Sequence, residues 1–155
     1  MSTYIDVFLH VIFSLLAAYV AWKAYGDNKK RNLFLSVVYA MVGGVLIDLD
    51  HFIDNLLAFG WNFNYGYFIT GEYFLKTGKT YVFFHGFEYL IILFVVFFFA
   101  KTKMIKMILL SLTLAMAFHL GVDIIFYSIP IKNYFILYRI FNDFKVDMAS
   151  PLLHL

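Results

Sequence analysis

Long apolar runs separated by short polar turns dominate the pattern of this chain. A transmembrane helix needs roughly 20 mainly apolar residues, and four runs reach that length: about 4–22, 33–53, 81–100 and 104–128. The turns after the first and third runs are too short to hold more than a helical hairpin. The pattern therefore predicts an all-α, polytopic membrane protein, in which residues 1–155 form one domain with a bundle of four transmembrane helices.

The composition points in the same direction. Of the 155 residues, 63% are hydrophobic, 22% are aromatic and only 14% are charged, whereas a soluble domain carries about 25% charged residues. So short a chain has too little interior to bury this apolar surface away from water. The absence of cysteine excludes a disulfide scaffold, and a net charge of +2 without a basic run argues against a nucleic-acid partner.

Basic residues are concentrated around the two short turns. Seven of the twelve lie in or beside them: Lys23, Lys29, Lys30, Arg31, Lys101, Lys103 and Lys106. The positive-inside rule places such loops in the cytoplasm, so we expect both termini and the long connection of residues 52–80 on the outer side. That connection is rich in Gly, Trp and Tyr and is predicted to lie in the membrane interface. Ile131–Lys145 is predicted to form an interfacial amphipathic helix.

Ionisable side chains within membrane spans are energetically costly and are functional candidates by default. The four runs and their outer ends carry ten of them: Asp6, His10, Asp48, Asp50, His51, Asp54, His85, Glu88, His119 and Asp123. At a rise of 1.5 Å per residue, these positions fall within roughly 15 Å of the outer boundary. The four helices are therefore expected to bring His and carboxylate groups to one level, opposite the basic turns.

The local spacings fit a shared site. His85 and Glu88 are three residues apart, and His119 and Asp123 are four apart, so each pair shares a helical face. Asp48 and Asp50 are separated by about 200° on a continuous helix. Either the helix opens there, or only one of these two carboxylates reaches the site.

These residue types favour a metal site. An isolated intramembrane His is more often a hydrogen-bonding group between helices, but here four His each have a carboxylate on the same helix. His and carboxylates without Cys suit zinc or another borderline ion, with manganese as a further candidate. The number of ligands is sufficient for one or two ions. We expect Asp6 to lie simply at the interface and Asp54 to be a solvated loop acid.

The stretch Gly43-Gly44-Val45-Leu46-Ile47-Asp48-Leu49-Asp50-His51 resembles the Pro-Asp-x-Asp-His signature of the LexA-binding, inner-membrane-associated metal-dependent hydrolases. Members of that family are similar in having a His early in the first span, a His at the start of the third and a His-plus-Asp helix near the end. The matching positions are His10, Asp48, Asp50, His51, His85, His119 and Asp123. The resemblance implies a hydrolase in a prokaryotic inner or plasma membrane.

The chain departs from that family pattern at two places. Ile47 stands where the family has proline, and the family's His-Arg-Gly-x-Thr-His stretch is reduced to residues 84–88, without the Arg and the second His. A second, shorter resemblance links His119-x-x-x-Asp123 and His85-x-x-Glu88 to elements of zinc-dependent phospholipases C. That resemblance implies phosphoester hydrolysis.

We therefore expect a membrane-embedded metal-dependent hydrolase. The expected ligands are His10, His51, His85, His119 and Asp123, with Asp48 as a ligand or bridge. Glu88 or Asp50, whichever is not coordinated, is expected to act as the general base. Membrane lipids are the expected partners, and a lipid or lipid-phosphate ester entering sideways beneath the aromatic connection is the expected substrate.

Two other functions compete with this interpretation. Paired His on facing helices can bind haem for electron transfer, but haem leaves the carboxylate beside each His unexplained. A divalent-cation transporter needs polar residues that continue through the cytoplasmic half, where these runs are almost purely apolar.

Overall fold

The computed structural model describes residues 3–62, 65–70, 77–127 and 129–145, and within these ranges the fold is all-helical, without a β-strand. The described part of the chain contains the α-helices α1 (Thr3–Tyr25), α2 (Lys30–Gly44), α3 (Leu49–Phe59), α4 (Tyr65–Thr70), α5 (Phe87–Phe99), α6 (Lys103–Tyr127) and α7 (Ile136–Phe141). Two 3-10 turns, Leu46–Asp48 and Ile131–Tyr134, precede α3 and α7.

Three helical stretches are long and apolar enough to cross a membrane: Ile5–Tyr25, Lys30–Phe59 and Lys103–Tyr127. Many large apolar side chains on these stretches face outwards, as lipid contact requires. The stretches are compatible with a membrane protein. Helix α5 has 13 residues, which gives about 20 Å of helix, less than the roughly 30 Å of a hydrocarbon core.

Small residues let α1, α2 and α6 pack closely against one another. Ala17, Ala40 and Ala115 are almost completely buried where these helices meet. A Cβ atom added to Gly44 would lie 2.1 Å from Ser14 Oγ, so this position has no room for a side chain. Small residues at such interfaces allow backbones to approach closely in membrane proteins.

The second apolar run is interrupted. Helix α2 ends at Gly44, Val45 leaves helical geometry with φ −130°, and a 3-10 turn leads into α3. The helix therefore opens before Asp48, which is the first of the two arrangements that the spacing of Asp48 and Asp50 allowed. Because the helix is interrupted, the side chains of Asp48 and Asp50 no longer have to point about 200° apart, as they would on a regular helix.

The third apolar run starts with residues that are not helical. Residues 81–86 precede α5, which begins only at Phe87, so the predicted helix of residues 81–100 is shorter than expected. The expected amphipathic helix Ile131–Lys145 is shorter as well. It divides into the 3-10 turn and α7, and it ends where Asp143 and Phe144 adopt positive φ angles of 54° and 56°.

In the long connection, α3 continues to Phe59 and α4 follows, while residues 63–64 and 71–76 lie outside the described part of the chain.

Candidate metal centre

The six metal ligands expected from the sequence meet at one end of the bundle. Four overlapping groups of three residues each bring ligand atoms within 4.8 Å of one another. Together they contain His10, Asp48, His51, His85, His119 and Asp123, with Asp6 as a seventh member. We call these seven residues the donor cluster. It draws on α1, α3, α6, the turn before α3 and the segment before α5.

Two imidazole rings face each other at the centre of this cluster. His119 Nδ1 lies 3.1 Å from Gly44 O, and His85 Nδ1 lies 3.1 Å from Asp50 Oδ2. A carbonyl or carboxylate oxygen accepts, so each Nδ1 donates and each neutral ring keeps a lone pair on Nε2. The two Nε2 atoms are 3.0 Å apart. A proton on one of the two rings, or a cation that both rings bind, accounts for two lone pairs this close.

Two carboxylates complete the arrangement around the facing rings. Asp48 Oδ1 lies 3.3 Å from Nε2 of both His85 and His119. Asp123 Oδ2 lies 3.3 Å from His119 Nε2 and 3.6 Å from His85 Nε2. Zinc bound tetrahedrally at about 2.0–2.2 Å separates its nitrogen and oxygen ligands by about 3.3–3.6 Å. The donor types and the nitrogen-to-oxygen spacings fit a divalent ion, whereas the 3.0 Å between the two Nε2 atoms is shorter than this range.

His10 stands on the other side of the same carboxylates. Its Nε2 lies 3.4 Å from Asp123 Oδ1, and its Nδ1 lies 3.7 Å from Asp48 Oδ2. Asp6 Oδ1 is 3.9 Å from His10 Nε2, and Tyr127 donates a 3.0 Å hydrogen bond to Asp6 Oδ2. The expectation that Asp6 lies simply at the interface is therefore wrong, because its carboxylate faces into the cluster.

The cluster opens at one side. The side chains of Asp48 and His51 are 36% and 30% exposed, and His51 Nε2 lies 3.7 Å from Asp48 Oδ1. His10, His85 and His119 are buried. A molecule that reaches the cluster from outside therefore meets Asp48 and His51 first.

Asp50 and Asp54 hold the non-helical segment that carries His85. Asp50 Oδ2 accepts a 2.6 Å hydrogen bond from Phe84 N in addition to the one from His85. Asp54 Oδ1 accepts a 2.8 Å bond from Tyr81 N. Asp54 is fully buried, so the expectation of a solvated loop acid is wrong. Backbone groups outside a helix need such partners at membrane depth, and these two carboxylates supply them.

Arg139 supports the same segment from the other side. It is buried, and its guanidinium donates to Val82 O and, at 3.0 Å, to His85 O. Burial lowers the pKa of this guanidinium, and the carboxylates of Asp50 and Glu88 oppose that shift. The sequence interpretation missed Arg139, because a basic residue between aromatics is also typical of the polar face of an interfacial helix.

Glu88 lies apart from the donor cluster. It belongs to none of the four groups of described residues, and its Oε1 accepts a 3.0 Å hydrogen bond from Leu137 N. Asp50 also contributes no atom to these groups and stands behind His85. Of the two expected base candidates, one therefore contacts the C-terminal segment and the other orients a ring.

Lys79 and Asp143 form an exposed ion pair of 2.7 Å that joins the 77–80 turn to the turn after α7. The pKa of Asp143 is lowered by the hydrogen bond from Lys79, and the pKa of Lys79 is raised by the same bond. The pair links these two turns and contains no member of the donor cluster. Because solvent screens it, it contributes little to stability.

No protein family, curated protein or solved structure shows significant similarity to this chain. The site is therefore interpreted from its own geometry.

Proposed function

We propose that the protein is an integral membrane, metal-dependent hydrolase that acts on a lipid or lipid-phosphate ester at the outer membrane interface. The observation that carries this proposal is the pair of Nε2 atoms 3.0 Å apart, with a carboxylate oxygen of Asp48 at 3.3 Å from each. No hydrogen of the neutral side chains points into this space, so a cation is required there. A proton on one ring also meets that requirement, but four converging donors favour a metal ion.

His85, His119, Asp48 and Asp123 would hold this ion. Two nitrogens and two oxygens without sulfur suit zinc, and manganese is the second choice. A divalent ion at such a site supplies Lewis-acid chemistry, which polarises an ester and makes water more acidic. Asp50 and Gly44 O keep the two Nε2 atoms aimed at the ion, a role that hydrogen bonds to the second ring nitrogen commonly have.

We assign proton transfer to His51. A general base has to reach the reacting water directly or through one more water, and His51 stands at the open side of the cluster beside Asp48. Asp50 is less suited because its Oδ2 already accepts two hydrogen bonds.

The surroundings of the opening favour a lipid substrate. Leu46, Leu49 and Phe52 flank Asp48 and His51 along the chain, and each exposes a large apolar side chain. Acyl or isoprenoid chains can pack on such a rim while the polar headgroup reaches Asp48 and His51. The family resemblance of residues 43–51 also supports hydrolysis.

We further propose that α5 and the residues before it complete a fourth crossing. The non-helical residues 81–86 lengthen the 13-residue helix, and Asp50, Asp54 and Arg139 satisfy backbone groups of this segment. Irregular backbone within a membrane is tolerated where protein groups satisfy it in this way.

The two competing functions fit the geometry less well. Axial His ligands of haem approach a flat macrocycle from opposite faces, and an Nε2 separation of 3.0 Å between His85 and His119 leaves no room for it. A transporter needs charged or metal-binding groups beyond the cluster. Within the described bundle, the buried polar side chains that follow towards the basic turns are Ser14, Ser36, Ser111 and Asn32, none of them charged.

Metal analysis and an ester assay test the proposal together. We expect purified protein to retain a divalent ion, and His119→Ala to lose most of it because the central pair is broken. Thr113→Ala, on the same helix and outside the donor cluster, is the matched control and should keep it. His51→Gln should keep the ion and lower hydrolysis of a phospholipid by roughly 10²-fold. Metal-free protein that gains no thermal stability from zinc would overturn the proposal.

A further inference from the structure

The carboxylates of Asp48 and Asp123 each divide their two oxygens between different histidines. One oxygen of each faces the central pair, His85 and His119, and the other faces His10. A carboxylate that serves one ion alone has no need to face donors on both sides. This division separates the cluster into a central pocket and a second pocket around His10.

The second pocket has three donors of its own. His10 Nε2 lies between Asp123 Oδ1 at 3.4 Å and Asp6 Oδ1 at 3.9 Å, and the three form one of the groups with ligand atoms within 4.8 Å. His10 Nδ1 faces Asp48 Oδ2 at 3.7 Å. This repeats the arrangement of His85, in which a carboxylate stands behind Nδ1 and Nε2 is presented to the site.

The polar atoms of this pocket are buried without hydrogen-bond partners. Both ring nitrogens of His10 and Oδ1 of Asp6 have no partner of hydrogen-bond geometry among the described residues, and His10 is only 2% exposed. An unsatisfied buried polar atom costs about 1–3 kcal/mol, and more when it is charged. Two of these atoms, His10 Nε2 and Asp6 Oδ1, face each other at 3.9 Å, which indicates a missing partner between them.

The charges lead to the same conclusion. Asp6, Asp48 and Asp123 bring three carboxylates together, and one divalent ion neutralises two of them. Buried charges are paired or bind metals, and no Lys or Arg is ion-paired to these three carboxylates among the described residues. A second divalent ion in the pocket of Asp6 and His10 offsets the remaining negative charge, and the two ions and three carboxylates together then carry a net charge of +1.

We propose that the cluster holds two divalent ions, with Asp123 bridging them and with Asp6 and His10 as ligands of the second. This inference rests on the proposed function, because it needs the central ion. One nitrogen and two oxygens leave coordination positions open to water or substrate, as two-ion hydrolytic sites require. Asp6 thereby becomes a metal ligand, a role that its place near the start of α1 does not suggest.

Zinc stoichiometry tests this proposal. Metal-free protein in detergent is loaded with zinc, excess ion is removed, and zinc per chain is measured. We expect about two ions per chain for the unaltered protein and about one for Asp6→Asn. Asp27→Asn is the matched control, because this exposed carboxylate lies in the turn after α1 and pairs with Lys103, and it should retain about two.

The outcomes separate the two proposals. One ion in both the unaltered protein and Asp6→Asn overturns the second pocket and leaves the metal-dependent hydrolase standing. Two ions in both proteins also overturn the assignment, since Asp6 is then no ligand. No bound zinc overturns both proposals. If Asp6→Asn does not fold, the stoichiometry of the unaltered protein decides alone, because the inference requires two.

Discussion

Individual side chains of the donor cluster depend on neighbours that contribute no donor atom to it. Asp50 contributes no atom to the donor groups, yet its Oδ2 accepts from His85 Nδ1 at 3.1 Å and from Phe84 N at 2.6 Å. It thereby fixes which nitrogen of His85 faces the centre. Hydrogen bonds of this kind to the second ring nitrogen commonly fix the orientation of a metal-binding histidine.

Replacing this carboxylate tests its orienting role. Asp50→Asn should lower zinc affinity by about 10- to 100-fold, because an amide is a weaker acceptor for the ring and can turn its NH2 towards it. Competition with a chelator measures the change. Glu88→Gln is the control in the same region and should leave affinity unchanged, since Glu88 contacts the C-terminal segment instead. Equal losses in both variants would contradict the assigned roles.

The sequence predicts which side chains come together in the donor cluster better than it predicts the residues that support them. His10, His85 and His119 were expected to meet because each stands at a similar depth with a carboxylate nearby, and the structure brings them together. Asp54 and Arg139 were misjudged because their partners are backbone groups of a segment that the apolar pattern marks as helical. A hydropathy pattern reports burial but does not show where the chain leaves its helix.

At the scale of elements, the close approach of α1 and α2 brings the helix break to the site. Gly44 ends α2, its carbonyl receives His119 Nδ1, and its Cα faces Ser14 without room for a Cβ. One residue therefore both packs two helices and orients a ligand. Glycine is required at position 44 because a Cβ atom has no room there. The backbone angles of this residue do not require glycine.

A methyl group at Gly44 should affect stability and metal binding together. Gly44→Ala is expected to lower the free energy of unfolding by about 1–3 kcal/mol, since overpacking forces α1 and α2 apart. Gly121→Ala is the matched control, because a Cβ there meets nothing within 4 Å, and it should raise helix stability by roughly 0.5–1 kcal/mol. Thermal unfolding in detergent, with and without zinc, measures both effects.

The break in the second run shows what a pattern can and cannot decide about an element. The spacing of Asp48 and Asp50 left two arrangements open, a broken helix or a single inward carboxylate. The structure combines them: the helix opens at Val45, and Asp50 still stays out of the donor groups. The backbone angles at Val45 allow Asp48 to join the donor cluster while Asp50 stays outside it. Those angles follow from the packing at Gly44, and the spacing of the residues along the chain does not predict them.

The whole molecule is polarised, with the donor cluster at one end and the basic turns at the other. His10 and Lys23 are thirteen positions apart in α1, and Lys106 and His119 are thirteen positions apart in α6, or about 20 Å in each helix. The positive-inside rule therefore predicts that the cluster lies on the outer side.

Cysteine labelling in intact cells tests this orientation, and the chain contains no cysteine of its own. Asn28→Cys and Asn62→Cys form a matched pair of exposed asparagines on opposite ends. We expect an impermeant maleimide to label Asn62→Cys alone, and to label both after the cells are permeabilised. The opposite pattern in intact cells would place the cluster in the cytoplasm.

Arg139 ties the C-terminal segment into the same structure. Arg139→Met should lower the free energy of unfolding by about 1–3 kcal/mol for each carbonyl left unpaired, and it should weaken zinc binding through His85. Lys132→Met, an exposed substitution on the same segment, is the control. An Arg139→Met protein with unchanged stability would show that the guanidinium does not hold residues 82–85.

The long sequence separation between Arg139 and His85 also determines the order in which the parts of the site are made during translation. This side chain joins His85 O across 54 residues of sequence, and translation adds about 5–20 residues per second. His85 therefore waits about 3 to 11 seconds after its own synthesis before the residue that holds its backbone is made. His119 and Asp123 of α6 are made within that interval, 34 and 38 residues after His85, so every member of the donor cluster precedes the residue that holds the backbone of His85. The complete and supported cluster therefore belongs only to the finished polypeptide.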